Sequence, residues 1–118
     1  MSLENLKSIE GLDVAQGLVN CMDDEGLYLS IISMYIEQLN EYLPKLVEHY
    51  ESANWEEYGK LAHSIKGASA SVGTHVIQAL SADLEGAAKQ QNFAPIINKH
   101  QEYYDLLVTT IDQLQQSL

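Results

Sequence analysis

The chain has 118 residues, the size of one domain with room for a single ordinary core. Hydrophobic residues make up 46% and charged residues 19%, a globular rather than a disordered composition. Seventeen acids against six lysines, with no arginine, give a formal charge of −11; so acidic a surface repels phosphate backbones and anionic lipid, which argues against nucleic-acid and membrane partners.

Only two prolines and seven glycines punctuate the chain, and β-branched alternation is nearly absent, so helical periodicity governs the reading. The first predicted helix starts at Asp13, an N-cap with Gln16 three residues on; Val14, Leu18 and Met22 mark its apolar side. Asp23-Asp24 cap a long helix of about 28 residues, ending at Ser52. Its stripe is Ile32, Ile36, Leu39, Leu43, Leu46 or Val47, and Tyr50. Pro44 interrupts this helix and predicts a kink, because its ring removes one backbone hydrogen bond. Tyr28, Ile31 and Met34 or Tyr35 exceed what one core stripe needs. They form either an apolar rim for a partner or a widened core face covered by the Asp13 helix.

Asn54 caps the next predicted helix, Trp55 to about Val72, with Glu57 at its third position. Gly73-Thr74 closes it and opens another, whose stripe is Ile77, Leu80, Leu84 and Ala87. After the loop Gln91-Asn92-Phe93, Pro95 sits in the first turn of the last helix. That helix carries Ile97, His100, Tyr104, Leu107, Ile111, Leu114 and Leu118 at three-four spacing. Four long amphipathic helices with short connections predict an all-α fold. The expected architecture is an antiparallel four-helix bundle with a short additional N-terminal helix, one domain over residues 1–118.

The single cysteine, Cys21, cannot form an internal disulfide, so a cytoplasmic location is expected. The most apolar stretch, Leu27 to Ile36, is about half the length of a membrane helix. No basic segment precedes an apolar run at the start, so no signal peptide is read there.

Four histidines are the first candidates for chemistry. A di-iron bundle site wants Glu-x-x-His on two helices, but Leu46, Lys60, Val72 and Ile97 stand three residues before His49, His63, His75 and His100. No HExxH, GxxxxGK[ST], GxGxxG or GxSxG occurs, and no metal or cofactor is expected. His100 falls in an apolar stripe and reads as a core or boundary histidine satisfied by a neighbour. His49 and His75 lie at helix ends among polar residues and read as solvated.

His63 differs. At about 100° per residue, Tyr58, Leu61, Ile65, Ala68 and Val72 all fall roughly 140–180° from it. They make the buried stripe, so His63 points to solvent. Glu56, Gly59, Lys60, Lys66, Gly67 and Ala70 share its face. Two of the six lysines thus lie within one turn of this histidine, in a chain of charge −11. Gly67, one turn on, leaves room beside the ring, and a glycine inside a helix costs about 1 kcal/mol against alanine. On geometry alone, an ordinary exposed histidine beside a tolerated glycine remains the other reading.

The same residues carry a resemblance. Leu61-Ala62-His63-Ser64-Ile65-Lys66-Gly67, then Gly73, then Leu84-Glu85, resembles the histidine-containing phosphotransfer (HPt) domain of two-component phosphorelays, whose core motif is His-x-x-Lys-Gly. Gly11-Leu12-Asp13 and Asp24-Glu25 to Leu29 resemble the way that family leads into its first helices. The likeness covers about residues 10–115. It implies that His63 accepts a phosphoryl group from a receiver-domain aspartate and passes it to another receiver. The neutral imidazole supplies the nitrogen nucleophile. It also implies that Lys66 neutralises phosphoryl oxygens, that Gly67 gives steric access, and that Glu85 orients the ring. Lys60 would add to the positive local field. Magnesium, in that family's chemistry, belongs to the receiver. The expected partners are receiver domains, including one of a hybrid sensor kinase, and the chain is expected to be monomeric. On the rim reading, Tyr28, Ile31 and Met34 or Tyr35 would then face a receiver helix; the widened core face stays the other reading.

Sensor-kinase dimerisation domains carry Glu directly after their histidine; Ser64 stands there, and no ATP-binding domain fits the remaining chain. A phosphocarrier without autokinase activity is therefore expected. Two rivals stay open: a docking bundle that binds a receiver without carrying phosphate, and a fragment of a larger kinase.

Overall fold

A computed structural model describes residues 3–117. Six helices make it up: α1 (Leu3–Lys7), α2 (Val14–Asn20), α3 (Glu25–Glu51), α4 (Trp55–Val72), α5 (His75–Lys89) and α6 (Ala94–Gln116). No strand occurs among the described residues. The 27 residues of α3, at about 1.5 Å each, account for the 40 Å long axis of the molecule.

Local chemistry sets the boundaries. The Asp13 carboxylate accepts from the Gln16 amide at 3.0 Å and the Asp24 carboxylate from the Leu27 amide at 3.1 Å, two side-chain N-caps. Gly73 ends α4 with φ +98°. A Cβ there would also lie 2.4 Å from the Asp13 carbonyl oxygen, so only glycine fits both the conformation and the space. Pro95 occupies the first turn of α6, where its missing N–H costs nothing.

The helices α3, α4, α5 and α6 pack in a ring, α3 on α4, α4 on α5, α5 on α6 and α6 on α3. Short connections make neighbours antiparallel, which is the expected four-helix bundle. The N-terminal addition is two short helices, not one. Of these, α2 packs on α3 and α4, and α1 anchors Leu6 at 0% exposure.

Of the two readings of the extra apolar residues of α3, the widened core face holds for Tyr28 and Tyr35, at 0% and 1% exposure. Each is buried because its hydroxyl finds a partner: Tyr28 donates to the Val72 carbonyl at 2.9 Å, and Tyr35 bonds Ser69 at 2.8 Å and Thr74 at 2.9 Å. Several other expectations are corrected. Met22 lies outside α2, exposed, with φ +55°. In α4 the deeply buried positions are Tyr58, Ala62, Ile65, Ser69 and Val72, with Leu61 and Ala68 at the margin. In α6 the buried stripe is Ile96, His100, Tyr103, Leu107, Thr110, Ile111 and Leu114. Ile97 is exposed there and Tyr104 only half-buried; Leu118 lies outside the described residues. Asn54 stands at the N-cap of α4 without a side-chain cap bond, and Glu57 pairs with Lys60 instead. Pro44 lies inside α3, as expected. His75 is bonded to Asp13 at 2.9 Å rather than merely solvated, and His49 is half-buried.

His100 is a core histidine with a satisfied ring. Its Nδ1 lies 2.8 Å from the Tyr58 hydroxyl, and the ring stacks on Tyr50 with centroids 3.8 Å apart. Burial holds its pKa below the ordinary value.

Candidate functional site

The site is built where α4 and α5 cross. These helices approach closely because Gly59 faces Ala88: a Cβ on Gly59 would lie 2.7 Å from the Ala88 Cβ. The crossing brings residues 22 apart in the chain together. His63, on the outer face of α4, has a side chain 65% exposed. Glu85, on α5, has one only 6% exposed.

The Glu85 carboxylate is shared among three partners. Its Oε2 lies 2.6 Å from His63 Nδ1, its Oε1 accepts from Lys66 Nζ at 2.6 Å, and Oε2 also accepts from Lys89 Nζ at 3.1 Å. The Lys66 hydrogen bond, with smaller contributions from Lys89 and His63, outweighs burial and holds the Glu85 pKa down at about 2. Glu85 is therefore a carboxylate at any physiological pH. A carboxylate only accepts, so the proton between the two groups sits on His63 Nδ1. That fixes the neutral ring in one tautomer and leaves Nε2 with its lone pair free, toward solvent.

Gly67 is exposed, and a Cβ built on it would meet nothing within 4 Å. The space beside His63 is open. Lys60 does not supply a free positive field: it pairs with Glu57 at 3.2 Å and Glu56 at 3.9 Å on its own helix. The third cation at the site is Lys89, which the sequence reading missed. The signal was available, because Glu85 and Lys89 are four apart on one helix, in the favoured order for an ion pair.

Grooves flank His63 on both sides. One, of about 720 Å³, runs between α4 and α5 toward the start of α6 and is floored by Trp55, Gly59, Ala88 and Phe93. The rings of Trp55 and Phe93 stack there with centroids 5.4 Å apart. The other, of about 340 Å³, lies between α3 and α4 and includes Ile31, Met34, Tyr42, Ser64 and Gly67. Among the described residues, no group of three or more His, Cys, Asp or Glu side chains is placed to hold a metal ion. None of the described helices is long and apolar enough to cross a membrane.

The model of the Hpt domain family matches residues 30–117, three quarters of the chain. The chain belongs to the Hpt domain family. It is a histidine phosphotransfer module of the phosphorelay type, and domains of this family interact with the receiver domains of two-component systems. Among solved structures, this Hpt domain is similar to the HPT domain of an Hpt sensor hybrid histidine kinase from Shewanella. The two share 21% identity over 90% of this chain and 92% of that one, with a TM-score of 0.82. That likeness establishes the shared fold. No match was found among curated proteins.

Proposed function

We propose that His63 is the phosphoacceptor of this Hpt domain, taking a phosphoryl group from a receiver-domain aspartate and passing it to a second receiver. The observation that carries this is the 2.6 Å contact between His63 Nδ1 and an ionised Glu85. A nitrogen nucleophile needs its lone pair outward and its proton elsewhere, and this contact supports both conditions at His63. In the transfer, the Nε2 lone pair attacks the phosphorus of the acyl phosphate. The phosphorus–oxygen bond breaks, and its electrons return to the aspartate as carboxylate. The ring keeps its Nδ1 proton, becomes cationic, and has Glu85 as counter-ion. Lys66, one turn on, meets phosphoryl oxygens. Gly67 lets the receiver's acidic pocket, with its magnesium, come close. Ile31 and Met34 on one side and Trp55 and Phe93 on the other offer apolar surface for the receiver.

The test is transfer of label from a phosphorylated, magnesium-loaded receiver to the wild type and to His63→Gln. Label on the wild type alone is expected. Label retained on His63→Gln overturns the assignment. Tight receiver binding without transfer to the wild type would favour a docking bundle.

A further inference from the structure

Glu85 raises a problem that His63 and Lys66 do not solve between them. Its side chain is 6% exposed and ionised, and before transfer Lys66 holds one of its oxygens. If Lys66 turns to the phosphoryl group, it must loosen that bond. A carboxylate left buried without a cation is strongly destabilised. The ring becomes cationic only once the phosphoryl group has arrived, so until then another positive charge has to stay behind, and Lys89 is in place: its Nζ is 3.1 Å from Oε2, on a side chain that is 73% exposed. Lys60, the remaining cation nearby, is committed to Glu56 and Glu57.

We infer that Lys89 is the counter-ion that lets Lys66 pass from Glu85 to the phosphoryl group, a positioning residue acting through Glu85. The reasoning rests on His63 being the acceptor. Charge accounting supports it. With a neutral His63, the two lysines exceed the single carboxylate by one positive charge. When a phosphoryl group of one net negative charge arrives on the ring, the cluster becomes neutral. Without Lys89 the same event would leave an excess negative charge, in a molecule already at −11. Lys89 thus favours the phosphorylated state over the free one, which a merely structural ion pair would not do.

The experiment uses the full chain and phosphoramidate, a small phosphodonor that needs no receiver. The variants are Lys89→Ala and Lys89→Arg. Three readouts are followed: the rate of His63 phosphorylation, the His63 tautomer, and the change in the Lys66 ammonium NMR signal on phosphorylation. Lys89→Ala is expected to keep the tautomer, because Lys66 still holds Glu85. It should accept phosphate about fivefold more slowly at low salt, the size of a partly screened ion pair, with the deficit shrinking as salt rises. The Lys66 signal should change less than in wild type, and Lys89→Arg should restore both rate and signal. Wild-type rate with an unaltered Lys66 response in Lys89→Ala overturns the inference. So does a slower rate that neither depends on salt nor recovers in Lys89→Arg. If the wild type itself takes no phosphate on His63, the assignment of His63 falls first and this inference with it.

Discussion

Glu85 controls both the tautomer and the charge of the site, so its substitutions separate the two. Glu85→Ala should leave His63 a mixture of tautomers in nitrogen NMR, whereas the wild type should show one form, protonated at Nδ1. Unchanged nitrogen shifts would remove the orienting role. The depressed Glu85 pKa also sets a stability window. The folded value of about 2 lies below the ordinary 4.5. The stabilisation is therefore fully present above about pH 4.5 and is lost as pH falls toward 2. Acid titration should show the wild type more stable than Glu85→Gln by a constant amount above pH 4.5, with the two converging as pH falls from 4.5 toward 2. Gly67 separates fold from function in the same way. Its Cβ would meet open space, so Gly67→Ala should stabilise α4 by about 1 kcal/mol. A large residue there, as in Gly67→Leu, should leave the bundle folded but slow transfer from a receiver. A melting temperature that drops in Gly67→Ala would contradict the open site. Of the site's residues, His63, Lys66 and Gly67 could be read from the motif and the helical wheel. The meeting of Glu85 with His63 and Lys66 could not, because it depends on how α4 packs on α5; the Glu85–Lys89 pair, four apart on one helix, could.

At the scale of elements, that crossing is set by Gly59. Adding a methyl group 2.7 Å from the Ala88 Cβ forces the helices apart, an overpacking cost of about 1–3 kcal/mol. Gly59→Ala should therefore lower the melting temperature, opposite to Gly67→Ala on the same helix, and weaken the His63–Glu85 bond as the helices separate. Equal effects at both glycines would mean that α4 and α5 do not meet there. A second element-scale device joins α2 to α5 through Asp13 and His75. The bond holds the His75 pKa above its ordinary 6.5; the Gln16 amide and then His75 hold that of Asp13 below 3.8. The His75 contribution is present below pH 6.5 and fades as pH rises past its folded pKa. The Asp13 contribution is present above pH 3.8 and fades below. His75→Ala should thus destabilise the protein at pH 5.5 and much less at pH 9; a pH-independent loss would point to packing instead. Helix existence and ends were legible because caps, Gly73 and Pro95 are local signals. Which of two adjacent apolar residues is buried was not. Ile96 and Ile97, and Tyr103 and Tyr104, fit a 3.6 period equally well, and packing against α3 and α5 decides. Whether the tyrosines of α3 were core or rim stayed open for a related reason: a buried hydroxyl is tolerable only with a partner, and Val72, Ser69 and Thr74 lie far away in sequence. Helix α1 has five residues and one buried anchor, too short for a period to register.

Over the whole molecule, charge is unevenly placed. The chain carries −11, yet three of its six lysines, Lys60, Lys66 and Lys89, stand around His63. The site is thus close to neutral on an acidic body, and apolar grooves border it on two sides. A receiver that presents an acidic, magnesium-filled pocket can meet this face without the repulsion the rest of the surface would impose. The account comes down to one atom, His63 Nε2. The most direct measurement is phosphorus and nitrogen NMR of the phosphorylated chain, with the histidine ring nitrogens labelled. Phosphate bonded to Nε2 of His63, with the proton still on Nδ1, is the predicted result. Phosphate on Nδ1, or on His49, His75 or His100, would contradict the account.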